Sequence, residues 1–140
     1  MRVIVTNAQR RYPVSPARMR RLVQRAARQL KIRTPGTMAV IFLSLGRMQR
    51  LNRQALRHDR VTDVITFRYR HEPVVGEIFV APSEAVRYAR THGVPYPEEL
   101  ARYVVHGVLH WVGRDDRTAA QQRRMRAAED RLLRRCGMMR

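Results

Sequence analysis

His106 and His110 are four residues apart in the stretch His106-Gly107-Val108-Leu109-His110-Trp111-Val112-Gly113-Arg114-Asp115-Asp116. On a helix of 3.6 residues per turn, that spacing puts both imidazoles on one face, within reach of one ion. Gly113 follows three residues after His110, and glycine is the residue best suited to end a helix in a left-handed conformation. A chain that reverses there can bring a carboxylate back over the histidine pair. Asp116 stands where that third group is needed, with Asp115 as its competitor. Two helical histidines and a carboxylate after a tight turn form a ligand set for one Zn²⁺ with a position left open for water. Ni²⁺ or Co²⁺ would accept the same donors. The alternative reading packs both histidines in or beside the core and leaves Asp116 to cap the next helix.

Zinc with three protein ligands makes hydroxide available near neutral pH, for attack on a peptide carbonyl or for cleavage of a phosphodiester. Zinc peptidases with this histidine spacing carry Glu directly after the first histidine. Here that residue is Gly107. The chain's net charge is +18, from 29 Lys plus Arg against 11 Asp plus Glu. Such an excess suits a polyanion, nucleic acid ahead of an anionic membrane surface. All the basic residues but Lys31 are Arg, so part of the charge reflects compositional habit, yet Arg pairs well with phosphate whatever its origin. A nuclease is therefore favoured over a protease.

The elements that must position these groups follow from periodicity. Leu100, Val104, Val108 and Trp111, with Tyr103 and Val105 beside them, predict a helix buried over much of its circumference that carries both histidines. Pro95 and Pro97 punctuate its start, and Glu98-Glu99 suit its positive end. Thr118 and Gln121 form a capping box for a last helix whose core face is Met125, Ala128, Leu132 and Leu133. Upstream, residues 2–6 read as a strand, buried on both faces or lying at a sheet edge. Ser15-Pro16 opens a helix with a core face from Met19 to Leu30 and a solvated face bearing Arg18, Arg20, Arg21, Arg25 and Arg28. Residues 37–43 form a strand; Ser44 caps a helix with Leu45, Met48 and Leu51 inward; residues 52–60 read as a polar loop. Strands at 62–67 and 76–81 pair as a hairpin, and Pro82-Ser83-Glu84 opens a helix that Gly93 closes. This order predicts an α+β fold, a small mixed sheet of about four strands packed with about five or six helices.

The length of 140 residues and a hydrophobic fraction of 44% fit one domain over residues 1–140 with a real core. No apolar run approaches the roughly 20 residues of a membrane span. The N-terminus reads as a strand and not as a signal peptide, so a cytoplasmic protein without a membrane partner is expected. A single cysteine, Cys136, excludes an internal disulfide and a cysteine-based zinc site, and it reads as a small apolar residue.

The segment from His106 to Asp115, His-Gly-x-Leu-His-x-x-Gly-x-Asp, resembles the signature of the YbeY family of metal-dependent endoribonucleases. Leu51-Asn52, Asp59 and Thr62-Asp63-Val64-Ile65-Thr66-Phe67 are similar to that family's Leu-Asn…Asp-x-x-Thr-Asp-Val-Ile-Ser-Phe segment. Gly76-Glu77-Ile78 resembles its Gly-Asp-Ile strand start, and Met125 with Glu129 its Met-x-x-x-Glu in the last helix. The resemblance implies a single α+β domain, a zinc ion held by three side chains, and cleavage of single-stranded RNA. It further implies a role in ribosomal RNA maturation at the 3′ end of the small-subunit RNA and in ribosome quality control, with ribosomal or assembly proteins as partners.

Two positions depart from the family pattern. Its usual third ligand is His where this chain has Asp116; a carboxylate leaves the site one charge less positive and the bound water less acidic. Asp115 matches the family Asp that precedes the ligand. At Leu56 many members carry an Arg that contacts RNA or the reacting phosphate. Arg57 can replace it if the segment is a loop, because neighbours on a strand face opposite ways. His58 shares that segment with Asp59 and could move protons near pH 7, or be a plain exposed loop residue. Arg57 and His58 are the candidate catalytic residues. Asp63 either orients a ligand histidine or closes a turn with Thr62; Glu77 is open to the same two readings; Trp111 reads as core. The competing functions are a non-catalytic, zinc-stabilised RNA-binding assembly factor and, third, a small zinc peptidase.

Overall fold

A computed structural model of the chain describes residues 1–56 and 63–139. Strand β1 (Arg2–Asn7) leads through helix α1 (Pro16–Gln29) to β2 (Thr37–Phe42). Helix α2 (Leu45–Leu56) precedes the pair β3 (Val64–Arg68) and β4 (Val74–Val80), and α3 (Pro82–His92), α4 (Tyr96–Trp111) and α5 (Ala119–Arg135) complete the described chain. The four strands form one sheet in the order β1-β2-β4-β3. β1 with β2 and β2 with β4 run parallel, while β3 and β4 run antiparallel. This is the mixed α+β sheet that the residue patterns predict. Parallel neighbours need a crossover, which α1 supplies between β1 and β2.

β1 is an edge strand with Val3 in the core and Ile4 45% exposed, so only one of its faces is covered. Ser15 accepts a hydrogen bond from Arg18 N and caps α1, and its five arginines lie on the exposed face. Among the boundaries that differ from expectation, two have a visible cause. α2 continues through Leu56 where residues 52–60 read as loop, because Asn52 falls seven residues after Leu45 and four after Met48 on the buried stripe. It is buried to 1% exposure. β4 begins at Val74, earlier than residue 76, because Pro73 lies outside the ladder and offers its carbonyl to Thr37 N.

α4 is the central helix, packed against α1, α3, α5 and the β3–β4 pair. From Glu99 to Trp111 every residue is buried except His106 and His110. Its C-terminal end is pinned to the sheet. Trp111 Nε1 donates to Val75 O at 2.8 Å, and Arg68 donates to Trp111 O at 2.6 Å with its guanidinium 4.5 Å above the indole. That cation also faces the negative end of the helix. Trp111 is therefore a core anchor, as its spacing implies.

Gly107 lies where α4 crosses β4. A Cβ there would meet Ile78 Cγ2 at 2.5 Å, and Ile78 is fully buried. This position faces the sheet, so a carboxylate placed there would have to enter the core. Gly107→Ala is expected to cost about 1–3 kcal/mol through overpacking, more than the gain in helix propensity. Thermal unfolding of the purified variant checks this, and an unchanged or raised Tm would contradict the packing described.

Candidate metal centre

The two histidines that interrupt the buried run of α4 face the returning chain. Gly113, with φ 101°, takes the left-handed conformation at the helix end. Gly113 N donates to His110 O and Arg114 N to Leu109 O, which satisfies the last carbonyls as the chain turns. Five residues later Thr118 and Gln121 form the capping box that starts α5. Asp116 thus sits in a short connection fixed at both ends.

Its Oδ2 lies 3.4 Å from His106 Nε2 and 3.4 Å from His110 Nε2. One donor atom from each of the three residues falls within 4.8 Å of the others, and this is the one such group among the described residues. Bonds of about 2.0–2.2 Å around a tetrahedral zinc require donor–donor edges of about 3.3–3.5 Å. Both edges at Asp116 have that length, and the third lies within 4.8 Å, so the three residues could hold such an ion. The imidazoles meet at 79° with centroids 4.5 Å apart. The side chains of His106, His110 and Asp116 are 24%, 30% and 38% exposed, so the three donors are partly open to solvent. Asp115 is exposed and outside the group.

His106 is held from behind by Glu129 of α5. Its Nδ1 donates to Glu129 Oε2 at 2.6 Å, which leaves the Nε2 lone pair for an ion. The other carboxylate oxygen accepts from Arg102 at 3.0 Å, and Arg102 also donates to Asp130 at 2.7 Å. Burial opposes a charge on His106, but the hydrogen bond and charge of Glu129, with Asp116 and Asp63, outweigh it and hold its pKa above the ordinary histidine value. A cation entering the site therefore displaces a proton that the carboxylates otherwise retain.

Glu129 is the functional residue that spacing within the histidine motif does not disclose. Its place in a Met-x-x-x-Glu pattern was the available signal. Asp63 accepts no hydrogen bond from either histidine: its carbonyl accepts from Ala81 N at the end of the hairpin, and the residue lines the pocket beside His106. Glu77 accepts from the Tyr69 hydroxyl and lies outside the triad. Cys136 is buried in the main core. Leu56 closes α2, while Arg57, His58, Asp59 and Thr62 lie outside the described residues.

No helix among the described residues is long and apolar enough to cross a membrane. In solved structures the chain is similar to a Thermotoga maritima protein determined in solution, with a TM-score of 0.67 and 25% identity, covering 96% of this chain and 88% of that one. The endoribonuclease YbeY of Geobacter metallireducens is 32% identical over 138 residues, 92% of this chain and 91% of that relative. The endoribonuclease YbeY of Bacteroides fragilis is 36% identical over 99 residues, 70% of this chain and 71% of its own length. The family model described as Endoribonuclease YbeY matches residues 4–137, and with the histidine motif folded into a fitting donor set, the chain belongs to the YbeY endoribonuclease family.

Proposed function

We propose that the chain, acting as one domain over residues 1–140, is a zinc-dependent endoribonuclease. In this reading it cuts single-stranded ribosomal RNA at the 3′ end of the small-subunit RNA in the cytoplasm. It takes part in ribosome quality control, with ribosomal or assembly proteins as partners. The observation that carries the reading is the pair of 3.4 Å edges from Asp116 Oδ2 to the two Nε2 atoms. That donor set has the size of a zinc site with a free fourth position, in a chain of charge +18.

A zinc ion held there supplies Lewis acidity toward a phosphoryl oxygen and makes hydroxide available near neutral pH. The protein's own groups do the rest. Glu129 fixes the tautomer and ring plane of His106, so both Nε2 atoms face one point. Asp116 removes one unit of positive charge from the site. The exposed arginines of α1 and α5 draw in a polyanion and make its affinity fall steeply with salt. Arg57 and His58, next after α2, are assigned contact with the phosphate and proton transfer.

The test is cleavage of a structured small-subunit RNA fragment, and of matched single- and double-stranded oligonucleotides, by chelator-treated protein with and without added zinc. Zinc-restored cleavage confined to unpaired RNA is the expected result. Protein that unfolds on metal removal and cuts nothing when reloaded would favour the non-catalytic, zinc-stabilised RNA-binding factor instead.

A further inference from the structure

The two faces of the sheet are covered unequally. Val3, Met38, Val40 and Ile78 turn one face toward the helices and are buried. The other has only α2, whose Met48 and Leu51 close over Ile65 at one end. β1, β2 and β4 run parallel, and parallel strands are as a rule covered on both faces. Away from α2 the face is open. Ile4, Ala39, Glu77 and Phe67 stand in register across all four strands, and alternation along the chain puts Tyr69 on the same side as Phe67. Ile4 and Tyr69 are two of the three exposed large hydrophobic residues among those described. The undescribed residues 57–62 lead into the opposite end of β3.

Aromatic rings dominate one side of this face. Phe67 and Tyr69 stack with centroids 6.4 Å apart and planes 20° from parallel, and Phe79 meets Phe67 edge-on at 5.9 Å. The Tyr69 hydroxyl donates to Glu77, which holds the ring in place. Beyond it opens a hollow of about 470 Å³ lined by Tyr69, Arg70, His71, Pro73, Val74 and Glu77. β1, β2 and α2 contain no acidic residue. Arg2 at the start of β1 is exposed, and so is Arg47, which reaches Ala8 O at the α2 end of the face. Against these cations stand Glu77, already engaged by Tyr69, and the exposed Glu72.

Chemistry narrows the occupant. A second copy of the chain brings another charge of +18, and like charge opposes self-pairing. A nucleic-acid duplex offers phosphates but hides the flat faces of its bases. An unpaired strand offers both, phosphates for the arginines and base faces for the rings, as on other sheets that bind single strands through exposed aromatics. Thr66 and Arg68 of β3 donate to Gly107 O and Trp111 O of α4, so Phe67 and Tyr69 between and after them point away from the helix that carries the histidines.

We propose that the open face of the sheet, built around Phe67 and Tyr69, is a stacking platform for unpaired RNA on the opposite side of the sheet from the metal centre. The inference rests on the endoribonuclease reading for naming the strand as RNA, but binding is measured without cleavage.

Bases and phosphates are common to RNA and DNA, so a fluorescein-labelled oligodeoxyadenosine of about ten residues, a length that spans such a site, serves as a probe that an endoribonuclease leaves whole. The matching duplex is the control. Anisotropy titrations compare the full-length parent, Tyr69→Leu, which stays apolar but loses the ring, and Tyr69→Trp. Tyr69→Leu should weaken single-strand binding by about tenfold and leave duplex binding unchanged, while Tyr69→Trp should hold or tighten it. If Tyr69→Leu fails to fold, Ile4→Glu decides, since it sets a carboxylate at an exposed position of the same face; it should weaken single-strand binding more than duplex binding. Single-strand affinity that survives these substitutions, or falls equally for the duplex, overturns the platform. So does a dimer in sedimentation velocity that Ile4→Glu dissolves, which assigns the face to a second copy. Ring-dependent binding in protein that cuts no RNA upholds the platform and overturns the nuclease reading. Cleavage of unpaired RNA without ring-dependent binding does the reverse.

Discussion

Replacement of His110 by alanine is expected to remove zinc-dependent RNA cleavage while leaving the fold in place. In the proposed metal site the imidazole would supply one of three protein donors, and its Nε2 forms one of the two 3.4 Å edges with Asp116. Two remaining donors hold zinc poorly, and the electrostatic work of a bound cation is worth several kcal/mol of transition-state stabilisation. At 1.36 kcal/mol per factor of ten, the loss is on the order of a thousandfold or more in kcat/KM. Zinc content per chain, measured after dialysis, should fall in parallel. His110 is 30% exposed in its side chain, so its truncation leaves no sealed cavity and Tm of the metal-free protein should change little. Parent and His110→Ala proteins that cleave at equal rates would remove the triad from the reaction.

The second large effect falls on Glu129, where metal affinity and stability are joined. Its two oxygens serve two different groups, His106 Nδ1 and the Arg102 guanidinium. Loss of a carboxylate that orients a metal-binding histidine typically costs about 10–100-fold in affinity or activity, and Glu129→Gln should fall in that range. Glu129→Ala should do more. Arg102, with its side chain 8% exposed, would keep Asp130 as its carboxylate partner beside the Met139 sulfur, and breaking a buried pair costs about 3–5 kcal/mol. With Asp130 still in place the lower end applies, about 3 kcal/mol, or roughly 10 °C in Tm for a domain of this size. Asp116→Ala supplies the contrast. It should lose zinc without the thermal penalty, since Asp116 is 38% exposed. Calorimetric unfolding and zinc titration of the three variants separate the effects; a Glu129→Ala protein as stable as the parent would refute the paired role.

The residues that come together as a possible metal site were legible because their geometry is local. Two histidines within about one helical turn, a glycine that reverses the chain and a carboxylate just beyond it need no knowledge of distant contacts. The strand and helix order was legible for a similar reason, since caps such as Ser15 and Thr118 and closing glycines such as Gly93 mark their own elements. Glu129 was not legible as a partner of His106, because that contact exists only once α5 has packed along α4. Asn52 misled because a polar residue on a buried helical stripe breaks the pattern without breaking the helix. Pro73 misled in the opposite sense, as a proline may directly precede a strand whose ladder it does not join. The burial of Glu99 was equally invisible: an acidic residue near a helix start reads as a favourable charge for the helix dipole until the helix is packed.

The short span between the ligands has an entropic consequence. Only ten positions separate His106 from Asp116, and the Gly113 turn and the Thr118 capping box already restrict that segment without help from an ion. Closing a loop so small, and so constrained beforehand, removes little disorder from the unfolded chain. An ion bound at this corner would stabilise the native state by its own binding free energy, but would bridge only α4 and the turn that follows it. If these residues hold a cation, the chain is expected to lose and regain it while remaining native, so that occupancy follows cation supply and not refolding.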